Sequence, residues 1–133
     1  MGVQVSATVR QIGKTTAEAK ARDHACLIDR PEAKGGANRG PMGGELMLMG
    51  IGGCFMSNLL AAVGERGLDV SGLSVDVSAT LESAPPRFTD IVLRVNGGDA
   101  DPAALREMIA KAEAGCIAIN TAKGATGVTV MPA

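Results

Sequence analysis

Between Leu46 and Val63 the chain carries no charged side chain, and only Gly50, Gly52, Gly53, Ser57 and Asn58 dilute the apolar run. A stretch of this kind either crosses a membrane or is buried inside a fold. It sits at the ~18-residue threshold for a span. Glu45 and Glu65 flank it, however, and no basic cluster anchors either end. It therefore reads as a buried helix from Glu45 to Arg66, closed by Gly67 at the C-terminal cap. Being apolar nearly all round, such a helix has to be covered on every side. At ~33 Å it exceeds what a chain of 133 residues can bury alone. Burial in a dimer interface is expected, with Gly50, Gly52 and Gly53 letting another helix approach closely.

The remaining elements follow from periodicity. Val3, Val5, Ala7 and Val9 alternate with polar residues, the period of a half-buried strand. Ala17, Ala19 and Ala21 repeat the pattern, and His24 to Asp29 gives a third strand. Residues 30–43, rich in Gly and Pro, predict a long loop of the kind that is often functional. After the helix, Leu73 to Glu82 alternate without a fault; Pro85-Pro86 turns the chain, and Ile91, Leu93 and Val95 return it. Asp101 before Pro102 predicts a helix start, with Leu105, Met108, Ile109 and Ala112 as its apolar face and Gly115 at its end. Thr126, Val128 and Val130 alternate as a last strand. The order β-β-β-α-β-β-α-β predicts a single α+β domain over residues 1–133, with antiparallel sheets around the long helix.

Composition excludes several function classes. With 13 basic and 14 acidic side chains the net charge is −1, which is no footprint for nucleic acid. Phe55 and Phe88 are the only aromatic residues, too few for a base-stacking platform. One His and no CxxC pair leave no metal site and make a His-based hydrolytic site doubtful; no cofactor is expected. Three cysteines, and an N-terminus without a signal-peptide core, point to the reducing cytoplasm.

Thiol chemistry is what this inventory still permits, since it needs one activated thiolate and a second thiol within reach. Cys54 and Cys116 each lie among small residues in a helical region. The plainer alternative is that both are small core hydrophobes. Cys26 and His24 share a strand face and read as sheet residues. A reactive Cys54 needs a positive charge to stabilise its thiolate. Arg30 and Arg39 in the loop are candidates, then Arg66 and Arg87. Glu45 is either a favourable first-turn acid or the partner of such an arginine. Its nine-residue separation from Cys54 means ~13.5 Å of helical rise, so an arginine would have to bridge the two or come from another subunit.

Arg30, Gly35-Gly36, Gly40-Pro41, the run from Glu45 through Gly52-Gly53-Cys54, and Ala114-Gly115-Cys116 together resemble the OsmC/organic hydroperoxide resistance family. The likeness covers nearly the whole chain, and ELMLMGIGGC is its most specific piece. It implies an intertwined homodimer with the long helices packed centrally and the active sites between subunits. By position it implies that Cys54 attacks the hydroperoxide and becomes a sulfenic acid. Cys116 would resolve that acid to a disulfide, which a dithiol, often a protein-bound lipoyl group, then reduces. Arg30 takes the place of the catalytic arginine and Glu45 that of its partner acid. The peroxidase members carry the acid one residue earlier, after a proline, where this chain has Gly44 after Gly43. They also follow the second cysteine with Pro, where this chain has Ile117. Those two differences place it closer to the less characterised GGC branch. Leu46, Met47, Met49, Ile51 and Phe55 would favour an organic peroxide over hydrogen peroxide, although each also reads as helix packing. The alternative function is a non-catalytic redox sensor or apolar-ligand-binding dimer, and inert thiols in a structural dimer are the third reading.

Overall fold

Short alternating segments pair first. In a computed structural model describing residues 2–133, β1 (Thr8–Gln11), β2 (Ala17–Ala21) and β3 (His24–Ile28) form a three-stranded antiparallel sheet in the order β1-β2-β3. Thr8 lies opposite Lys20, and Ala19 opposite Cys26. Of the strand expected from Val3 to Val9, only its end is built. Val3 and Val5 stay 91% and 92% exposed, because β2 offers no residues beyond Lys20 and Ala21 for them to pair with. The chain divides into two compact units, one ending at Met47 and one beginning at Leu48.

In the first unit the loop after β3 is folded back tightly on the strand end. A short 3₁₀ turn, Glu32–Lys34, ends at Gly35 in the left-handed region. Side chains have no room at two of the loop's glycines. A Cβ at Gly36 would fall 2.0 Å from the Arg30 carbonyl oxygen, and one at Gly40 would fall 2.3 Å from that of Leu27.

The long helix α1 runs from Gly43 to Glu65. Gly67 N–H donates to Gly64 O and Leu68 N–H to Val63 O, with Gly67 at φ +65°. This left-handed double closure is the expected glycine cap. The second unit holds most of α1 together with the hairpin β4 (Leu73–Ser83) and β5 (Pro86–Gly97), then α2 (Pro102–Ala114) and α3 (Ile117–Lys123). Asp101 caps α2 by accepting the Ala104 N–H at 3.0 Å, as its position before Pro102 predicts. Phe55, Leu59, Ala62 and Val63 of α1 meet Met108, Ala112 and Cys116 in one buried cluster. Leu73, Val75, Leu93 and Val95 of the hairpin pack against it. In the hairpin Ser78 pairs with Val92 but Thr80 with Thr89, so Asp90 and Ile91 share the place opposite Ala79. Asp90 takes φ +51° to make this bulge.

The fold is α+β with antiparallel sheets and a long helix, as the patterning predicts, but three expectations need correction. The alternating residues Thr126, Val128 and Val130 form no strand; Val128 and Val130 are 85% and 93% exposed. A helix not foreseen, α3, occupies residues 117–123 instead, since Ile117, Ala118 and Ile119 lack any period-two pattern. Gly52, finally, admits a strand: its Cβ position lies 2.8 Å from Val77 Cγ2 of β4. Within the chain α1 is covered on one side only, with Met49, Gly53, Ser57 and Leu60 exposed. Length and composition alone would let α1 cross a membrane, and a third (33%) of its most apolar window is buried.

Candidate functional site

Cys54 and Cys116 come together. Cys54 projects half-buried from the middle of α1, against the core cluster that contains Cys116. Cys116 is fully buried at the joint where α2 stops and α3 begins. Gly115 N–H closes α2 on Lys111 O, and Cys116 is extended at φ −80°, ψ 114°. This break aims the side chain of Cys116 back at α1.

The two thiols differ in acidity. Cys54 is held below the ordinary thiol range, chiefly by the Ala118 N–H, with the Cys116 thiol and the Ile117 N–H adding to it against the opposing effect of burial. Burial pushes Cys116 up, and the neighbouring Cys54 raises it further, against the N–H groups of Ile119 and Ala118. N–H and S–H donors directed at one sulfur stabilise its thiolate, whereas a buried thiol beside that thiolate keeps its proton. The pair therefore sets a thiol biased toward its thiolate against one biased toward its neutral form.

Within the same unit a cavity of about 410 Å³ opens beside α1 and α3. Ile51 and Phe55, on either side of Cys54 in sequence, line it, as do Ile91, Ile109 and Ile119. The cavity also borders Glu113 and Lys123, which form an ion pair with each other.

Arg30 and Glu45 belong to the first unit. Glu45 accepts the Met42 N–H at 2.9 Å, the helix-start contact of a capping acid. Among the described residues no ion pair joins Glu45, Arg30 or Arg39 to a partner. Arg30 and Arg39 instead donate their backbone N–H groups to Asp29, at 2.7 and 3.3 Å. Asp29 is the residue that sequence reasoning missed. Its buried carboxylate also takes the hydroxyls of Thr15 at 2.9 Å and Thr16 at 2.7 Å. Burial opposes its ionisation, but the bonds from Thr16, Arg30, Thr15 and Arg39 prevail and hold it well below the usual carboxylate range. The available signal was an acid at the end of a strand, just before a Gly/Pro loop, with two adjacent threonines upstream. Among the described residues no group of three or more His, Cys, Asp or Glu could hold a metal ion.

A family model described as "OsmC-like protein" matches residues 35–131. The chain belongs to the OsmC-like family. The OsmC-like protein of Mycoplasma pneumoniae has the same fold, with a TM-score of 0.79 at 17% identity over 93% of this chain and 90% of that one. An organic hydroperoxide resistance protein from Elizabethkingia anophelis matches at a TM-score of 0.67 and 20% identity, over 93% and 91% of the two chains. OhrB, the organic hydroperoxide resistance protein of Bacillus subtilis, matches at 0.63 and 21%, over 92% of each. A search of curated proteins gives no match in sequence. In this OsmC-like chain the family match takes in Cys54, Cys116 and Glu45, while Arg30 and Asp29 lie ahead of it.

Proposed function

We propose that this OsmC-like protein is a thiol-dependent peroxidase that reduces organic hydroperoxides in the cytoplasm, as a homodimer of single-domain chains. The observation that carries the reading is the pair of contacting thiols whose acidities are driven apart. The Cys54 thiolate attacks the distal oxygen of ROOH. The O–O bond breaks, ROH leaves after taking up a proton, and Cys54 becomes a sulfenic acid. The Cys116 sulfur then displaces its hydroxyl as water, closing a Cys54–Cys116 disulfide. A dithiol, of the lipoyl type in this proposal, takes both sulfurs back to thiols and is itself oxidised to a disulfide.

Arg30 is assigned the positive charge that steadies the thiolate and the departing alkoxide, with Arg39 next in line, and Glu45 is assigned to orient it. The largely apolar cavity lined by Ile51 and Phe55 of the same helix favours an organic substituent on the peroxide. A second copy of the chain is supported by the exposed apolar face of α1 and by the unpaired alternating residues at both ends.

The test is consumption of cumene hydroperoxide by the reduced protein with a dithiol. Turnover should vanish in Cys54→Ser. Cys116→Ser should leave a Cys54 sulfenic acid that dimedone traps. Peroxide consumption undiminished in Cys54→Ser would end this mechanism. The same cavity supports a second reading, a redox sensor or apolar-ligand binder. Disulfide formation without dithiol-driven turnover would favour it.

A further inference from the structure

Four carbonyls at the end of α2, Lys111 to Ala114, lie beyond the reach of any N–H inside that helix. All four are nonetheless satisfied. Lys111 O accepts the Gly115 N–H and Glu113 O the Cys116 N–H, both at 3.2 Å. The other two are taken by asparagine amides: Asn58 Nδ2 donates to Ala112 O at 3.4 Å, and Asn120 Nδ2 to Ala114 O at 3.1 Å. Asn58 comes from α1 and Asn120 from α3. Each stands four residues after a cysteine, in Cys54-Phe-Met-Ser-Asn58 and Cys116-Ile-Ala-Ile-Asn120. In α1 a spacing of four places the Asn58 amide one helical turn beyond the Cys54 thiol, on the same face, and Asn120 stands one turn into α3 from its extended N-cap, Cys116.

We propose that Asn58 and Asn120 are positioning residues for the thiol pair. They pin the α2–α3 joint from both sides, and so hold Cys116 and the N–H groups of Ile117 and Ala118 against Cys54. Capping alone explains Asn120 less well. Ala114 is exposed, so its carbonyl could go to water at little cost, whereas the carbonyl of buried Ala112 needs the partner that Asn58 supplies. Asparagine is a poor residue for a helix interior. Asn58 is the only amide side chain in α1, and it is spent on the helix end that carries Cys116. The inference rests on the thiol pair acting as proposed above, but it can be tested without any peroxide.

Two readouts on the reduced protein decide it: the pH profile of Cys54 alkylation by iodoacetamide, read by peptide mapping, and the Cys54–Cys116 disulfide fraction in glutathione buffers. In Asn58→Ala and Asn120→Ala the alkylation midpoint should move up toward that of an ordinary thiol. Disulfide formation should become about five- to tenfold less favourable in each, the scale of one lost hydrogen bond. Ser74→Ala, exposed on β4, should change neither. Asn120 is exposed and alanine is the better helix former, so Asn120→Ala should fold even if Asn58→Ala does not. A folded Asn120→Ala with wild-type profile and equilibrium overturns the proposal. A wild-type protein that consumes no peroxide would defeat the peroxidase reading and leave both of these measurements decisive.

Discussion

Replacing Gly52 by alanine tests how α1 meets the hairpin. The new Cβ would lie 2.8 Å from Val77 Cγ2, well inside the ~3.5–4.0 Å at which carbon atoms pack. Valine is stiff at χ1, so strand or helix must shift, at a cost of about 1–3 kcal/mol. Alanine returns about 1 kcal/mol over glycine in a helix interior. The net expectation is a loss of about 0–2 kcal/mol. In a Val77→Ala background the clash is gone and Gly52→Ala should gain its ~1 kcal/mol, so the two substitutions should couple by about 1–3 kcal/mol. Urea unfolding of the four proteins at one concentration measures this cycle. A Gly52→Ala protein stabilised by ~1 kcal/mol with no coupling to Val77 would refute the close approach. Gly53 is the counterpart, with nothing within 4 Å of its Cβ position. If the exposed side of α1 faces a second copy, Gly53→Ala should weaken association, seen as dissociation at higher protein concentration in sedimentation. A Gly53→Ala protein that is more stable and no less associated removes that face from the proposed interface.

Asp29 carries a pH signature. Its folded-state pKa is lowered from 3.8, so its contribution is complete above that value and fades only as pH falls below it. Asp29→Asn should therefore expose the 30–41 loop to proteolysis at neutral pH, and its deficit against wild type should shrink below pH 3.8; a deficit independent of pH would contradict the ionised cradle. Asp101→Ala removes the acceptor for the Ala104 N–H and should cost about 1 kcal/mol in thermal unfolding. Asp101→Asn should keep most of that, since it preserves the acceptor oxygen.

Elements whose pattern is completed inside the chain were legible from sequence. Leu73 to Glu82 alternates because one face of β4 packs on the core through Leu73 and Val75, and Leu105, Met108, Ile109 and Ala112 share a face because the cluster under α2 is built from this chain. The α2–α3 joint was half legible. Gly115 announced a break, but Cys116 opening a new helix depends on carbonyl partners three to six residues apart. Asn58 was visible as a polar residue in an apolar helix, although its use on Ala112 O is a tertiary fact. Asp29 looked like the last residue of a strand because its five ligating groups are spread from Thr15 to Arg39.

The end strands that failed share one cause. A period of two says only that one face of a segment wants cover, not which chain supplies it. Val3 and Val5 at one end and Val128 and Val130 at the other keep the pattern yet stay open to solvent. Met49 and Leu60 on the free side of α1 do the same. Sequence reasoning expected cover from within for the strands and cover on every side for α1; the chain supplies each only in part, with α2 and the β4–β5 hairpin on one side of α1. The proposed dimer would cover the free side of the cysteine-bearing helix. Substrate access to Cys54 would then be set by how the two copies fit. A dilution series that dissociates the protein should therefore change the rate at which cumene hydroperoxide oxidises Cys54 while leaving the Cys54–Cys116 contact, which lies wholly within one chain, unchanged in the glutathione equilibrium.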